Sequence, residues 1–128
     1  MKLHSIASAD TLAFARTLIA SEQARHSVLE AQYSAAEWHV LLELFVAIEE
    51  GRTVAVSDMG LIEGIPRSTA LGIVADMTRR GLVLRHPDRK DGRRFFLSLE
   101  TGLHQRIDML LRNLMVLLRH PNAQGPDR

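Results

Sequence analysis

Residues 58–81 read DMGLIEGIPRSTALGIVADMTRRG, and the punctuation inside that stretch decides the fold. Ser57 precedes it as a cap for a brief helix over 58–63, with Asp58 well placed at the positive end of the helix dipole. Gly64-Ile65-Pro66 makes a tight turn. Pro66 suits the first turn of a second helix, where a missing N–H loses nothing because those amides lack partners anyway. Leu71, Val74 and Met77 recur at steps of three on one face, with Ile73 near its edge, and Gly81 closes the element after Arg80. A short helix, a tight turn and a longer helix form the helix-turn-helix layout.

Downstream, Leu82–His86 and Arg94–Leu99 are strand-like runs on either side of Pro87–Arg93, a loop dense in turn formers. An antiparallel hairpin directly after a helix-turn-helix is a wing. Phe95, Leu97 and Leu99 share one face of its second strand and are expected to pack on the helices. Upstream, Thr53–Val56 is short and β-prone. Before it, Ser34-Ala-Ala-Glu37 is a capping box, and Trp38, Leu41, Leu42, Phe45 and Ile48 follow at helical spacing until Gly51. From about Asp10 to Glu30 the chain is rich in Ala, Leu and Glu without Pro or Gly, which predicts a helix with a loose stripe of Leu12, Phe14, Leu18, Ile19, Val28 and Leu29.

The last predicted helix, from about Thr101 to His120, carries Leu103, Ile107, Leu110, Leu114 and Leu117 at steps of 4, 3, 4 and 3, a heptad seam that Leu111 and Leu118 widen. So apolar a terminal helix on so small a chain is expected to meet a partner helix in a symmetric dimer, the alternative being that it closes the intrachain core. The expected fold is mainly α with a small β-hairpin wing: a winged helix-turn-helix flanked by N- and C-terminal dimerisation helices. A single domain is expected over 1–128, with an N-terminal helix over 8–30, the winged-helix core over 34–99, the C-terminal dimerisation helix over 100–120 and a disordered tail over 121–128.

Length and composition agree with that reading. A chain of 128 residues fits one domain and buries roughly two-thirds of its unfolded surface. The absence of cysteine excludes disulfides, thiolate metal sites and cysteine-based redox sensing. No apolar run approaches the roughly 20 residues needed to cross a bilayer, and MKLHSIASAD has no signal-peptide core, so no membrane partner and a cytoplasmic location are expected. The net charge of +1 hides an asymmetry. Arg79, Arg80, Arg85, Arg89, Lys90, Arg93 and Arg94 face only Asp88 and Asp91, a net charge of +5 over residues 79–94, whereas the remainder holds nine basic and thirteen acidic side chains. A basic block on a mildly acidic body is the electrostatic footprint of a polyanion binder; the plainer alternative is an Arg-rich solvated loop.

The order of these motifs resembles the MarR family of winged-helix transcription regulators. Residues 58–81 followed by Leu82-Val-Leu-Arg85 are similar to the family's short helix, Ser/Thr-rich recognition helix and L-x-x-x-G-L-V-x-R pattern, and Asp91-Gly-Arg93 running into Arg94–Leu99 resembles its Asp-x-Arg wing. The likeness covers about residues 10–118. Glu100 departs from it, standing where Thr is usual, and the chain ends sooner than a typical member, which shortens the expected C-terminal dimer arm. The resemblance implies a homodimeric regulator that binds double-stranded DNA at a pseudo-palindromic operator.

The residues support such a role independently. The N-terminal turns of a recognition helix face the base edges of the major groove, and here they carry Arg67, Ser68 and Thr69, with Gly72 one turn on. Arg67 is the only long donor, suited to a guanine edge or a phosphate. Ser68 and Thr69 suit phosphates, or simple capping of the first turn. Gly72 costs about 1 kcal/mol of helix stability relative to Ala, which suggests close approach to DNA or to a neighbouring helix. The hairpin tip offers Arg89, Lys90, Arg93 and Arg94. The resemblance implies that Arg93 enters the minor groove, aimed by Asp91; the same Asp91-Gly92 pair is also an ordinary hairpin turn.

Enzymatic readings find no foothold, and no metal site or cofactor is expected. The six histidines (4, 26, 39, 86, 104 and 120) are scattered, and no phosphate loop or nucleophile motif is present. Family members take small aromatic effectors, which the resemblance would place beside His39 and Trp38; a core or surface histidine is the plainer reading. The remaining alternative function is a winged-helix module for protein–protein contact without sequence-specific DNA binding.

Overall fold

Six regular elements and one 3₁₀ turn organise residues 8–119, the part of the chain that the computed structural model describes. They fall into two compact units, one of residues 32–105 and the other of the described parts of residues 1–31 and 106–128.

In the first unit the capping box forms as its residue types require. The Glu37 N–H donates to Ser34 Oγ at 3.1 Å and the Ser34 N–H donates to Glu37 Oε1 at 2.7 Å, starting α1 (Ala35–Glu49). The face it buries differs from the expected stripe: Val40, Leu41, Leu44 and Ala47 are buried, while Trp38, Leu42, Phe45 and Ile48 are half-buried. Leu41 alone belongs to both sets.

The brief helix after it is a 3₁₀ turn over Val56–Leu61, and Ser57 is not its cap. Asp58 takes that part instead, its Oδ2 accepting the Ala55 N–H at 2.8 Å. The β-prone stretch just before it contributes a single antiparallel bridge, Ala55 opposite Phe96, with the Leu97 N–H donating to the Val54 carbonyl at 2.9 Å.

The longer helix, α2, spans Arg67–Arg79 with Pro66 as N-cap rather than as its first residue. Ala70, Val74 and Met77 are buried; Leu71, expected in that seam, is only half-buried. Gly81 then adopts φ +75°, a left-handed conformation that ends the helix and that side chains disfavour. Strands β1 (Val83–Pro87) and β2 (Phe95–Leu99) pair antiparallel, with Val83 opposite Leu99 and Pro87 opposite Phe95. Leu97 and Leu99 are buried as expected, and Phe95 is half-buried.

Glu100 joins the hairpin to α3 (Thr101–Arg119), and its departure from the family pattern has a local explanation. Its carboxylate accepts the N–H groups of Gly102 at 2.8 Å and Leu103 at 2.9 Å, serving as the N-terminal cap that a Thr would supply, while its own N–H donates to the Leu82 carbonyl.

The second unit contains the chain's first helix, α4 (Ala9–Leu29), together with the end of α3. Ser8 caps it by accepting the Thr11 N–H at 3.1 Å, and it stops at Glu30, whose φ is +57°. The predicted stripe is largely on its outside: Leu12, Phe14, Leu18 and Ile19 are exposed, and the buried positions are Thr17, Arg25 and Leu29. Thr17 Oγ1 donates to the Ala13 carbonyl at 3.0 Å, and the Arg25 guanidinium reaches Glu22 Oε1 at 2.5 Å, which accommodates part of their polarity inside.

The heptad seam of α3 has the predicted spacing. Leu103, Ile107 and Leu110 have no exposed surface within the chain and are part of its core. Leu114 and Leu117 are half-buried, and the exposed large side chains of this helix are Met109, Met115, Val116 and Leu118. The last described residue is Arg119; His120 and the tail expected to be disordered over 121–128 lie outside the described residues.

Candidate nucleic-acid interface

The hairpin tip is built by its acids. Asp88 Oδ1 accepts the Lys90 N–H at 2.8 Å, and Asp91 Oδ1 accepts the Arg93 N–H at 3.0 Å, two Asx turns in succession. Backbone bonds from Asp88 N–H to the Arg94 carbonyl and from Arg94 N–H to the Asp91 carbonyl, each 3.0 Å, close the loop. The same Asp91 oxygen lies 3.3 Å from Arg93 Nε, so it steadies a guanidinium whose side chain is otherwise 92% exposed. Asp91 is thus the acidic neighbour of Arg93 at the tip. Arg89 and Lys90 stand exposed on the outer part of the loop.

Aromatic rings at the base of the hairpin organise two more arginines. The Arg85 guanidinium carbon sits 4.2 Å from the centroid of the Phe95 ring, and that of Arg94 sits 5.6 Å from the Phe96 centroid. Arg85 was not singled out as a site residue from the sequence. Its signal lies in the strand register: Arg85 faces Leu97, so Phe95 is its diagonal neighbour across the pair, within reach of a long side chain.

At the start of α2, Arg67, Ser68 and Thr69 are exposed. The N-cap is Pro66, without a side-chain hydrogen bond, so neither hydroxyl serves as the helix cap. Gly72 is exposed, and a Cβ built there would meet nothing within 4 Å. A neighbouring helix in this chain is therefore not what the glycine accommodates.

The helix start and the hairpin meet on a common surface. Arg67 and Leu71 from α2, Arg85, Arg93, Arg94 and Phe95 from the hairpin, and Ala55, Val56 and Ser57 from the 3₁₀ turn line a groove of about 360 Å³. Four arginines and no carboxylate line it, a concentration of positive charge that attracts anions. Gly72, Ser68 and Thr69 continue from it along α2, and Arg89 and Lys90 along the loop; they do not line the groove itself.

Three histidines make local pairs. His86 Nε2 meets Ser98 Oγ at 2.7 Å, His39 Nε2 meets Glu43 Oε2 at 3.1 Å, and His104, stacked on Phe45 at 4.7 Å between centroids, meets Glu49 Oε2 at 2.7 Å. Among the described residues no group of three or more His, Asp or Glu is arranged to hold a metal ion, and no helix is long and apolar enough to cross a membrane.

No protein-family model and no curated protein matches the chain. Solved structures do. A MepR mutant from S. aureus, bound to an oligodeoxyribonucleotide, superposes with a TM-score of 0.68 at 16% identity over 91% of this chain and 80% of that one. The fold is that of the MarR-type winged-helix regulators. YusO from Bacillus subtilis matches at TM-score 0.63 and 17% identity over 94% of this chain and 88% of its own. The PcaV transcriptional regulator from Streptomyces coelicolor, solved with its natural ligand, matches at 0.54 and 21% over 97% and 87%. The MarR-type fold thus accommodates nearly the whole described chain at identities that leave its site residues to be argued from their own geometry.

Proposed function

We propose that the chain is a MarR-type regulator that binds double-stranded DNA as a homodimer at a pseudo-palindromic site and has no enzymatic role. The observation that carries the reading is the groove in which Arg67, from the start of the recognition helix, and Arg85, Arg93 and Arg94, from the wing, converge. On DNA, the first turns of α2 enter the major groove, with Ser68 and Thr69 on phosphates and Gly72 allowing the backbone close to the duplex, while Arg93, steadied by Asp91, enters the minor groove. Arg89, Lys90 and Arg94 add contacts to the backbone. Such a protein works where double-stranded DNA is, the cytoplasm of a bacterial-type cell.

The homodimer rests on exposed apolar surface among the described residues: Leu12, Phe14, Leu18 and Ile19 on α4, and Met109, Met115, Val116 and Leu118 on α3, with the half-buried Leu114 and Leu117 beside the latter. For a small aromatic effector, the described residues offer a depression of about 400 Å³ lined by Ile48, Ser98, Leu99, Thr101, His104 and Gln105, in addition to the position next to His39 and Trp38 that the resemblance implies. Its occupant would act by shifting the population between binding and non-binding dimers.

Titration with DNA selected from a random library, repeated over a range of salt, tests the central claim. The affinity should fall steeply with salt, and Arg93→Ala should make the log–log slope shallower by about one unit. A protein with no DNA affinity even at low salt is a protein–protein module instead.

A further inference from the structure

For Arg67 the sequence leaves two partners open, a base edge or a phosphate, and the surroundings of its side chain favour one of them. Beneath it lies Gly60, a buried glycine of the 3₁₀ turn. A Cβ built on Gly60 would stand 2.7 Å from Arg67 Nη1, 3.0 Å from its Cγ and 3.3 Å from its Cζ, and these are the nearest atoms it would meet. Gly60 is not among the glycines with positive φ, so its backbone accepts alanine; what a side chain there would displace is Arg67 from its path across the turn. The contact runs from the stem of Arg67 to its guanidinium, so the whole side chain lies across the turn rather than standing out from the helix end. From there it lines the groove with Arg85, Arg93 and Arg94. Lying across the turn among Arg85, Arg93 and Arg94, its guanidinium stands in a concentration of positive charge that favours the full negative charge of a phosphate over the partial charges of a base edge.

Building on the DNA-binding reading, we propose that Gly60 is a positioning residue: it seats Arg67 across the 3₁₀ turn so that the guanidinium clamps a DNA backbone phosphate beside the wing arginines instead of reading a base. Glycine at 60 is then kept for the aim of a side chain seven residues away.

The test uses the full chain, a duplex selected from a random library and a duplex of scrambled sequence, with affinities measured over a salt series. Arg67→Ala should weaken binding to both duplexes by the same factor, roughly tenfold, and reduce the salt slope by about 0.9. Gly60→Ala should do nearly the same with Arg67 still present. The Gly60→Ala/Arg67→Ala double variant should bind and melt like Arg67→Ala alone, because the atoms a Cβ would strike are gone. Should Gly60→Ala fail to fold, a double variant that folds and binds like Arg67→Ala still supports the seat, and one that also fails to fold overturns it. The inference is also overturned if Arg67→Ala weakens only the selected duplex, if a folded Gly60→Ala binds as the wild type does, or if the two losses add. A wild-type protein that binds neither duplex removes the DNA-binding reading itself, whatever the variants do.

Discussion

The two units differ in how much apolar side chain they leave outside. In residues 32–105 the large aliphatic side chains Leu41, Leu44, Met77, Val83 and Leu103 are fully buried, and the exposed apolar side chains Val46, Leu61 and Leu84 are outnumbered by exposed arginines. In the other unit Leu12, Phe14, Leu18 and Ile19 on α4 and Met109, Met115, Val116 and Leu118 on α3 are exposed, while Thr17 and Arg25 are buried. The first pattern completes a core inside one chain. The second buries Leu29, Ile107 and Leu110 along with Thr17 and Arg25 and leaves more apolar surface outside, the kind of patch that marks an interaction site. The difference separates a part whose surface is rich in charge from a part whose surface is rich in apolar side chains.

The comparison breaks first at positions that look alike in sequence. Leu110→Ala should destabilise the fold by about 2–5 kcal/mol, as expected for a fully buried leucine, measured by denaturant unfolding. A loss near zero would put Leu110 back in the dimer seam. Glu100→Ala, which leaves the Gly102 and Leu103 amides without their acceptor, should cost about 1 kcal/mol in the same measurement. Gly72→Ala has the opposite sign: with open space around the new methyl, it should stabilise the protein by up to about 1 kcal/mol and weaken DNA binding if the helix backbone approaches the duplex there. Smallest in folding terms is Ile19→Asp combined with Val116→Asp. Both positions are exposed, so unfolding free energies should move by only about 0.5 kcal/mol per site, yet sizing should show monomers. A persistent dimer would remove these faces from the interface.

The order of elements was legible because caps, turns and breakers are local: Ser34 with Glu37, Gly64 to Pro66, and Gly81 each act within a few residues. Which face of a helix turns inward was less so. In α1 apolar residues occur almost all round, so the spacing fits two phases; it points to Trp38, Phe45 and Ile48, whereas the smaller Val40 and Ala47 are buried. In α2 the steps of three point to Leu71, whereas Ala70 is buried. The step pattern of α3 gave the seam correctly and could not say whether the facing side chains belong to the same chain. At the candidate interface the charges were visible from composition, and the pairing of Asp91 with Arg93 came from the resemblance. Gly60 and the Arg85–Phe95 pair were not visible, since each depends on two segments brought together by the turn or the hairpin.

The two aspartates of the wing carry a kinetic consequence. Because the loop is already folded around Asp88 and Asp91, its backbone entropy is surrendered when the chain folds and is not lost again on meeting an anion. Capture should then be governed by collision and by the long-range pull of the arginines, fast in dilute buffer and slowed by added electrolyte, with no separate ordering step to limit it.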